Sequence, residues 1–574
     1  MPMCFSMEKS LCPLYVVPTE RTDDTEAYGL KLLKFTDRID AARHTTEGRN
    51  DCLFGVASNN FCGFLPRELQ AKELQTKELQ VQESWIIRIA LSSKKCIVSS
   101  VVSSKKCRIS TIVSSKKCGF CLFVSSKKCI FAKKPIRNQI IMKRKIYNQL
   151  LAWKEGKDRK PLMLLGARQV GKTWIMQHFG ENEYKKVAYI NCDDEPRMKQ
   201  LFELDYNIER ILITIQAITG VRVTPGDTLI ILDEIQEIPR GLHSLKYFCE
   251  KAPEYHIMVA GSLLGVTLGK GESFPVGKVD MLTMYPMDYE EFLDAIGNEG
   301  WLDLLHSNDW ALIEIMKPKM VEALRQYYYV GGMPGVVSKY IENADLKQVR
   351  NIQRDILEAY RRDISKHTTA AESTRIRQVL DSLPTQLAKE NKKFVYGAVR
   401  QGSRAKDFEL AIQWLMDAGI VHKVSRIREP KMPLKFYEDI DAFKLFLLDC
   451  GLLACMTDAP ADQMLIGDNA FTEFKGAFTE QYVMQQLLVL GIKPYYWSNA
   501  KTPAEIDFVV QYNNRVVPVE VKAEENVRAR SLAQFVKDNP ELKGLRISMK
   551  GYADQEWMEN IPLVAIDAYF TPQT

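Results

Sequence analysis

From Pro161 onward the chain alternates short, unbroken apolar runs with amphipathic stretches. Pro161–Leu165, Thr228–Leu232 and His256–Ser262 are runs of this kind, the first two followed by Gly166 and Asp233 and the third ending in Ser262. Short runs that are apolar throughout predict strands buried on both faces, as in a parallel sheet. Trp174–Phe179 predicts a helix between the first two. Strands alternating with helices predict an α/β fold with a parallel sheet. Across residues 341–447 the pattern turns helical: NIQRDILEAYRRDISKH carries apolar residues at helical spacing. SRAKDFELAIQWLMDAGIVHKVSRI reads as a helix, Gly419 and then a short strand. Nearer the C-terminus the expected order is an amphipathic helix over Ala477–Leu490 and strands over Tyr495–Ser498, Glu505–Gln511 and Val516–Lys522. A helix over Ala529–Lys537 and a strand over Leu545–Met549 follow, and Asn513-Asn514 marks a hairpin turn.

The first quarter of the chain does not share this pattern. RELQAKELQTKELQ recurs every five residues from Glu68, a period that matches neither a helix face nor a strand face. SSKKC then ends at Cys96, Cys107, Cys118 and Cys129, eleven residues apart. Eleven could suit a right-handed coiled coil, but the Val, Ile, Thr, Phe and Gly joining the copies give no continuous apolar stripe. Lone cysteines at that spacing lack the paired arrangement of a zinc site. A metal or redox array and a disordered basic arm are two readings. The favoured one is a tandem DNA repeat translated upstream of a true start at Met142, which makes residues 1–141 disordered or not native. Charge divides at the same place: residues 1–141 hold 23 Lys/Arg and 13 Asp/Glu, and residues 142–574 hold 55 and 59. The body of the chain therefore lacks the bulk basic character of a nucleic-acid binder, although a local basic groove stays open. Nine of the thirteen cysteines precede Met142, and the other four show no metal spacing, which fits a reducing compartment. No apolar run approaches the roughly 20 residues of a membrane span, and MPMCFSMEKS is a poor signal peptide. The expectation is a cytoplasmic protein with no membrane partner.

GARQVGKT, from Gly166 to Thr173, matches G-x-x-x-x-G-K-[ST] between a predicted strand and a predicted helix. Gly166 and Gly171 let the backbone wrap phosphates, and the N–H groups at the helix start face the anion. Lys172 is expected to reach the β- and γ-phosphates of ATP, and Thr173 to ligate Mg2+. LIILDEIQ places Asp233 at the end of a buried strand, where it would hold the Mg2+ shell, and Glu234 beside it to polarise the attacking water. Ser262, ending the third strand, is expected to sense the γ-phosphate.

These segments resemble the AAA-type ATPases of bacteria and archaea that carry a C-terminal domain of unknown function. The resemblance runs through GARQVGKTW, LIILDEIQ, VAGSLLG, PMDYEEFL and YYYVGGMPGVV. It implies an ATP-hydrolysing α/β module that assembles as a homo-oligomer. Lys278 stands where the family usually has an arginine, the place for a basic finger acting in trans. The middle segment, with helix, turn, helix and β-ribbon, resembles a winged helix, which can place a helix in a DNA groove.

The last constellation is FTEQYVMQQLLVLG … YYWSNAKTPAEIDFVVQYNNRVVPVEVKA. Glu520 and Lys522 are two apart and share one face of a Val-rich strand, where an acid and a lysine are costly unless used. Asp507 on the preceding strand completes an Asp … Glu-x-Lys order that resembles the PD-(D/E)xK nucleases, with Ile506 where the motif name has Pro. The resemblance implies that Asp507, Glu520 and Glu480 bind a divalent metal and that Lys522 activates a water.

The expected organisation is a repeat segment (1–141), an AAA-type P-loop ATPase with a parallel sheet (142–340), a helical and winged-helix-like connector (341–467) and a restriction-endonuclease-like α/β domain (468–574). The expected function is ATP hydrolysis in association with DNA, with metal-dependent cleavage by the C-terminal domain. The rival expectation is an ATP-controlled switch whose C-terminal domain binds protein or nucleic acid without cutting it.

Overall fold

The computed structural model describes residues 142–262, 265–266, 275–389, 392–466, 472–499, 502–524 and 529–571, together with six strands nearer the N-terminus. The chain falls into two compact units, Met1–Gln139 and Ile140–Thr574. In the first, β1 (Tyr15–Val17), β2 (Trp85–Leu91), β3 (Cys96–Ser103), β4 (Arg108–Ser115), β5 (Cys121–Ser125) and β6 (Lys128–Ala132) form one antiparallel sheet in that order. In this sheet Cys96 stands opposite Ser115. The Val and Ile residues between the SSKKC copies are β-branched strand formers. The five-residue repeat from Glu68 lies outside the described residues.

In the second unit, β7 (Leu162–Leu165), β8 (Lys186–Asn191), β9 (Thr228–Asp233), β10 (His256–Ala260) and β11 (Asp280–Thr283) form a parallel sheet of order β11-β7-β10-β9-β8. β9 and β10 are buried along their whole length, as their unbroken apolar runs require. Helices Lys172–Glu183 and Ile208–Thr219 pack on β8. Because all five strands run the same way, the Gly166–Thr173 loop, Asp233 and Ser262 emerge together at the carboxyl edge of the sheet, where ligands bind in such folds.

A second, mixed sheet contains β12 (Val421–Ile427), β13 (Glu438–Leu447), β14 (Tyr495–Ser498), β15 (Glu505–Tyr512), β16 (Arg515–Lys522), β17 (Gly544–Ser548), β18 (Ala553–Asp554) and β19 (Met558–Pro562). Its order is β13-β12-β14-β15-β16-β17-β19-β18. Asn513 and Asn514, with φ of 47° and 56°, turn the β15–β16 hairpin as predicted. The boundary expected between 467 and 468 cuts this sheet. β12 pairs in parallel with β14, Arg426 opposite Tyr496 and Ile427 opposite Trp497. The ribbon does follow a helix, Ala405–Asp417, but β12 is hydrogen-bonded to β14, so the ribbon is not a free wing.

The two sheets are fastened through YYYVGGMPG. Met287 N donates to Gly332 O at 2.7 Å, and Gly332 N donates to Asp449 Oδ2 at 2.6 Å. A Cβ on Gly332 would lie 2.0 Å from Met287 O, so only glycine fits this junction.

Candidate functional site

The loop between β7 and helix Lys172–Glu183 holds its shape through three residues with positive φ: Gly166 (136°), Gln169 (68°) and Gly171 (99°). A Cβ at Gly166 would meet Met284 O at 2.2 Å, so sterics and backbone both demand glycine there. Lys172 folds back over the loop, donating from Nζ to Gly166 O and Ala167 O, both at 2.8 Å. Burial lowers its pKa to about 8, against the opposing pull of Glu234 and Asp233. This lysine is bonded to carbonyls that compete poorly with phosphate oxygens for an ammonium.

Thr173 Oγ1 donates to Asp233 Oδ2 at 2.5 Å, across the gap between helix start and strand end. Tyr189 OH donates to the same oxygen at 3.3 Å. Burial raises the Asp233 carboxyl pKa, with the hydrogen bond from Thr173 opposing. A hydroxyl facing a buried carboxylate is an all-oxygen, hard donor set of the kind Mg2+ takes, so the residues fit the expected ion. Glu234 has φ 51°, a conformation that non-glycine residues rarely adopt and that clusters at functional sites. Its Oε2 accepts from Gln236 Nε2 at 2.6 Å, Ser262 N at 3.2 Å and Ser262 Oγ at 3.3 Å. Thr173, Asp233, Glu234 and Ser262 thus occupy one continuous network, and Lys172 lies within electrostatic reach of both acids.

Lys278 is elsewhere. It is ion-paired to Glu250 at 3.0 Å, with both side chains partly in solvent. Two arginines that the motif reading passed over do touch the loop. Arg144, buried, donates to Val170 O at 3.0 Å and Tyr285 O at 2.7 Å and pairs with Glu291 at 3.1 Å. Arg168, inside the loop, pairs with Asp363 at 2.7 Å. Beside the loop lies a cavity of about 260 Å3, lined by Gly166, Ala167 and Ser262 and, from the C-terminal half, Met416, Gly419 and His422. Burial lowers His422 to a pKa of about 4, so it is neutral at pH 7.

The second predicted cluster also assembles, with partners its motif did not announce. Glu480, Asp507, Glu520 and Lys522 interact electrostatically with one another. Lys522 Nζ stands 2.6 Å from Glu520 Oε1, and Val521 N donates to Asp507 Oδ2 at 2.7 Å. Two further lysines enter from the connector. Lys392 pairs with Glu480 Oε1. Lys444, on β13 and 0% exposed, lies 2.5 Å from Glu505 Oε1 and 3.7 Å from Glu480 Oε2. The latter gap is too long for a hydrogen bond, and Glu480 Oε2 and Glu520 Oε2 have no hydrogen-bond partner. Burial, then Glu480 and Glu520, push the Asp507 carboxyl up to about 8. Burial acts in the same direction on Glu480, but Lys392 and Lys444 outweigh it and hold that carboxyl low. The carboxyl groups of Glu480, Glu505, Asp507 and Glu520 thus share one cluster with the amines of Lys392, Lys444 and Lys522. Lys392 and Lys444 bring positive charge to Glu480 and Glu505 that the motif did not announce. Among the described residues, the one His/Cys/Asp/Glu trio at metal-ligand spacing is Glu290, His306 and Asp567. There Lys145 Nζ stands 2.8 Å from Glu290 and 2.5 Å from Asp567, as an internal cation. The lone Lys in AFKLFLL was the signal for Lys444: a charge at a core position of a strand must meet its partner inside.

Residues 158–293 match the family described as AAA domain. Residues 321–463 match Domain of unknown function (DUF8612), and residues 475–569 match Domain of unknown function (DUF4143). The chain therefore carries a P-loop module of AAA type. No curated protein matches it. Among solved structures, it is similar to the Orc1 protein of Aeropyrum pernix in complex with DNA, at 13% identity, over 57% of this chain and 97% of that one, with a TM-score of 0.26. A superposition that loose carries no argument about shape or function. Among the described residues, no helix is long and apolar enough to cross a membrane.

Proposed function

We propose that this protein binds ATP with Mg2+ at the Gly166–Thr173 loop and hydrolyses it, as a DNA-associated, self-assembling ATPase of the cytoplasm. The observation that carries this reading is the single network joining Thr173, Asp233, Glu234 and Ser262 at the mouth of the loop. Lys172 exchanges its two carbonyl partners for phosphate oxygens. Thr173 and Asp233 would hold Mg2+, which would neutralise charge on the phosphates. Glu234, released from Gln236 and Ser262, orients a water against the terminal phosphorus and takes its proton as the bond to ADP breaks. Ser262, freed by the same movement, offers a hydroxyl to the γ-phosphate.

The association with DNA rests on the nuclease-like strand order around Asp507 and Glu520. We infer that this region binds without cutting, because lysines occupy the charge position that metal-dependent cleavage needs free. Steady-state turnover and a DNA-retention assay, with and without ATP, test both halves. Lys172→Ala should lose ATP binding. Glu234→Gln should bind ATP and turn over slowly, losing on the order of a hundredfold in rate. DNA should be retained and recovered intact. Undiminished turnover in Glu234→Gln removes it from the mechanism, and shortened DNA products overturn the non-cutting reading.

A further inference from the structure

Arg168 is the second residue after the loop's first glycine, and its guanidinium is close enough to depress the Lys172 pKa. It is 46% exposed, while its partner Asp363 is 9% exposed. Asp363 lies on helix Leu346–His367, and the same helix holds the loop twice: Tyr360 OH donates to Arg168 O at 3.0 Å, one turn before Asp363 takes the side chain at 2.7 Å. One turn further on, Lys366 approaches Glu237 at 3.7 Å, in the turn that follows Asp233 and Glu234. One helix face, with contacts at 360, 363 and 366, therefore touches both the phosphate loop and the strand end that holds the water-activating acid.

Deeper in the fold the same helix is anchored. Gln353 Nε2 donates to Tyr329 O at 2.8 Å and Val330 O at 3.0 Å, and Arg350 donates to Ala459 O at 3.1 Å. These contacts place it between the nucleotide loop and the segment that joins the two sheets. A partly exposed arginine in a phosphate loop, balanced by a single buried aspartate, is a cation with two possible partners. A triphosphate carries more charge than one carboxylate, and two oxygens of a phosphate can accept the guanidinium fork bidentately.

We propose that Arg168 is a phosphate-binding cation for the terminal phosphate of ATP, held by Asp363 until nucleotide arrives, and that its transfer loosens helix Leu346–His367 from the loop. This inference rests on the ATP reading above. Asp363 is a positioning residue that acts through Arg168.

The test is the ratio of ATP to ADP affinity, measured on the full chain by fluorescent-nucleotide displacement. Arg168→Ala should reduce the preference for ATP on the order of tenfold and leave ADP affinity in place, because the lost contact is to the terminal phosphate. Arg168→Lys should recover part of it as a point charge. Asp363→Asn, which keeps the shape and removes the competing charge, should tighten ATP more than ADP. A purely structural ion pair would instead weaken both nucleotides together in Arg168→Ala and Asp363→Asn. That result, or an unchanged ratio in Arg168→Ala, overturns the inference. If Lys172→Ala abolishes binding while Arg168→Ala leaves the ratio unchanged, this inference alone fails. If the parent chain binds neither nucleotide, the ATP reading fails and takes this inference with it.

Discussion

Lys444 and Glu505 form a 2.5 Å ion pair between β13 and β15, with the lysine side chain wholly removed from solvent. The two residues lie on opposite sides of the boundary expected near 468, so the connector ribbon and the C-terminal strands share a sheet and a buried charge. A lysine at 0% exposure is tolerated only where its partners are buried with it. Glu480 and Glu505 are those partners, and their charges outweigh the burial that would otherwise neutralise the amine.

Removing one side of that arrangement should cost much more than removing both. Lys444→Met leaves buried Glu480 and half-buried Glu505 short of a counterion and should lose about 3–5 kcal/mol. The double variant Lys444→Met/Glu505→Gln should recover part of the loss. Urea unfolding of the four corners of this cycle reads the coupling. A chain beginning at residue 468 lacks β12, β13, Lys392 and Lys444 and should show no cooperative transition. A sharp transition in that fragment would show that the ribbon is dispensable to the sheet.

ATP affinity should depend on pH through Lys172. Burial sets its pKa at about 8 without nucleotide, and phosphate oxygens stabilise the charged form, so the bound value is higher. Below pH 8 the amine is already charged and affinity is flat. Between pH 8 and the bound value a proton is taken up on binding, so affinity falls by up to about tenfold per pH unit. Calorimetry at pH 8.5 in buffers of different ionisation enthalpy measures that proton directly. No difference between the buffers would mean that Lys172 is charged throughout.

Much of this architecture was legible because its signals are local. Glycines at 166 and 171, an apolar run before Asp233 and an Asn-Asn turn are each dictated by backbone geometry, and each stands where the pattern placed it. Tyr495–Ser498 matches its predicted bounds. The pairings that decide charge were hidden because they join distant segments. Arg168 and Asp363 are 195 residues apart, and Lys392 and Glu480 are 88 apart. Lys392 and Arg168 look like ordinary surface cations in sequence, and only topology shows what they face. The pairing of β12 with β14 across residue 468 was hidden for the same reason: a ribbon that resembles a wing gives no local sign that its inner edge will be paired.

Residues 142–146 should matter to the enzyme, and the first unit should not. Arg144 binds Val170 O in the phosphate loop and is the ion-pair partner of buried Glu291. Lys145 joins Asp288, Glu290 and Asp567, tying the start of the second unit to its last helix. A chain beginning at Met142 should bind and hydrolyse ATP as the full chain does. One beginning at Tyr147 strands these carboxylates and should lose about 3–5 kcal/mol in urea unfolding, with weakened ATP binding. If the Met142 chain is inactive, the repeat-bearing unit contributes to function after all.

The carboxylate cluster of the C-terminal sheet should not respond to divalent metal as it stands, and should be made to respond by one substitution. Lys392 pairs with Glu480 and is 12% exposed, while Lys444 is sealed in, so Lys392 is the counterion that can be removed with the least disturbance to packing. Two carboxylates relieved of their lysine repel each other, and a cation between them restores the balance. In the nucleotide-free full chain, Mn2+ should leave the thermal midpoint of the parent unchanged. Lys392→Ala should be less stable without metal and should regain stability with it, about 2.7 kcal/mol at a hundredfold excess over Kd. Lys392→Arg keeps the charge and should stay insensitive. Adding Asp507→Asn to Lys392→Ala should abolish the response, which assigns it to this cluster rather than to Asp233. A parent chain that Mn2+ stabilises through Asp507 would mean that the lysines do not hold the metal's place, and cleavage of DNA would return as the working function of the domain.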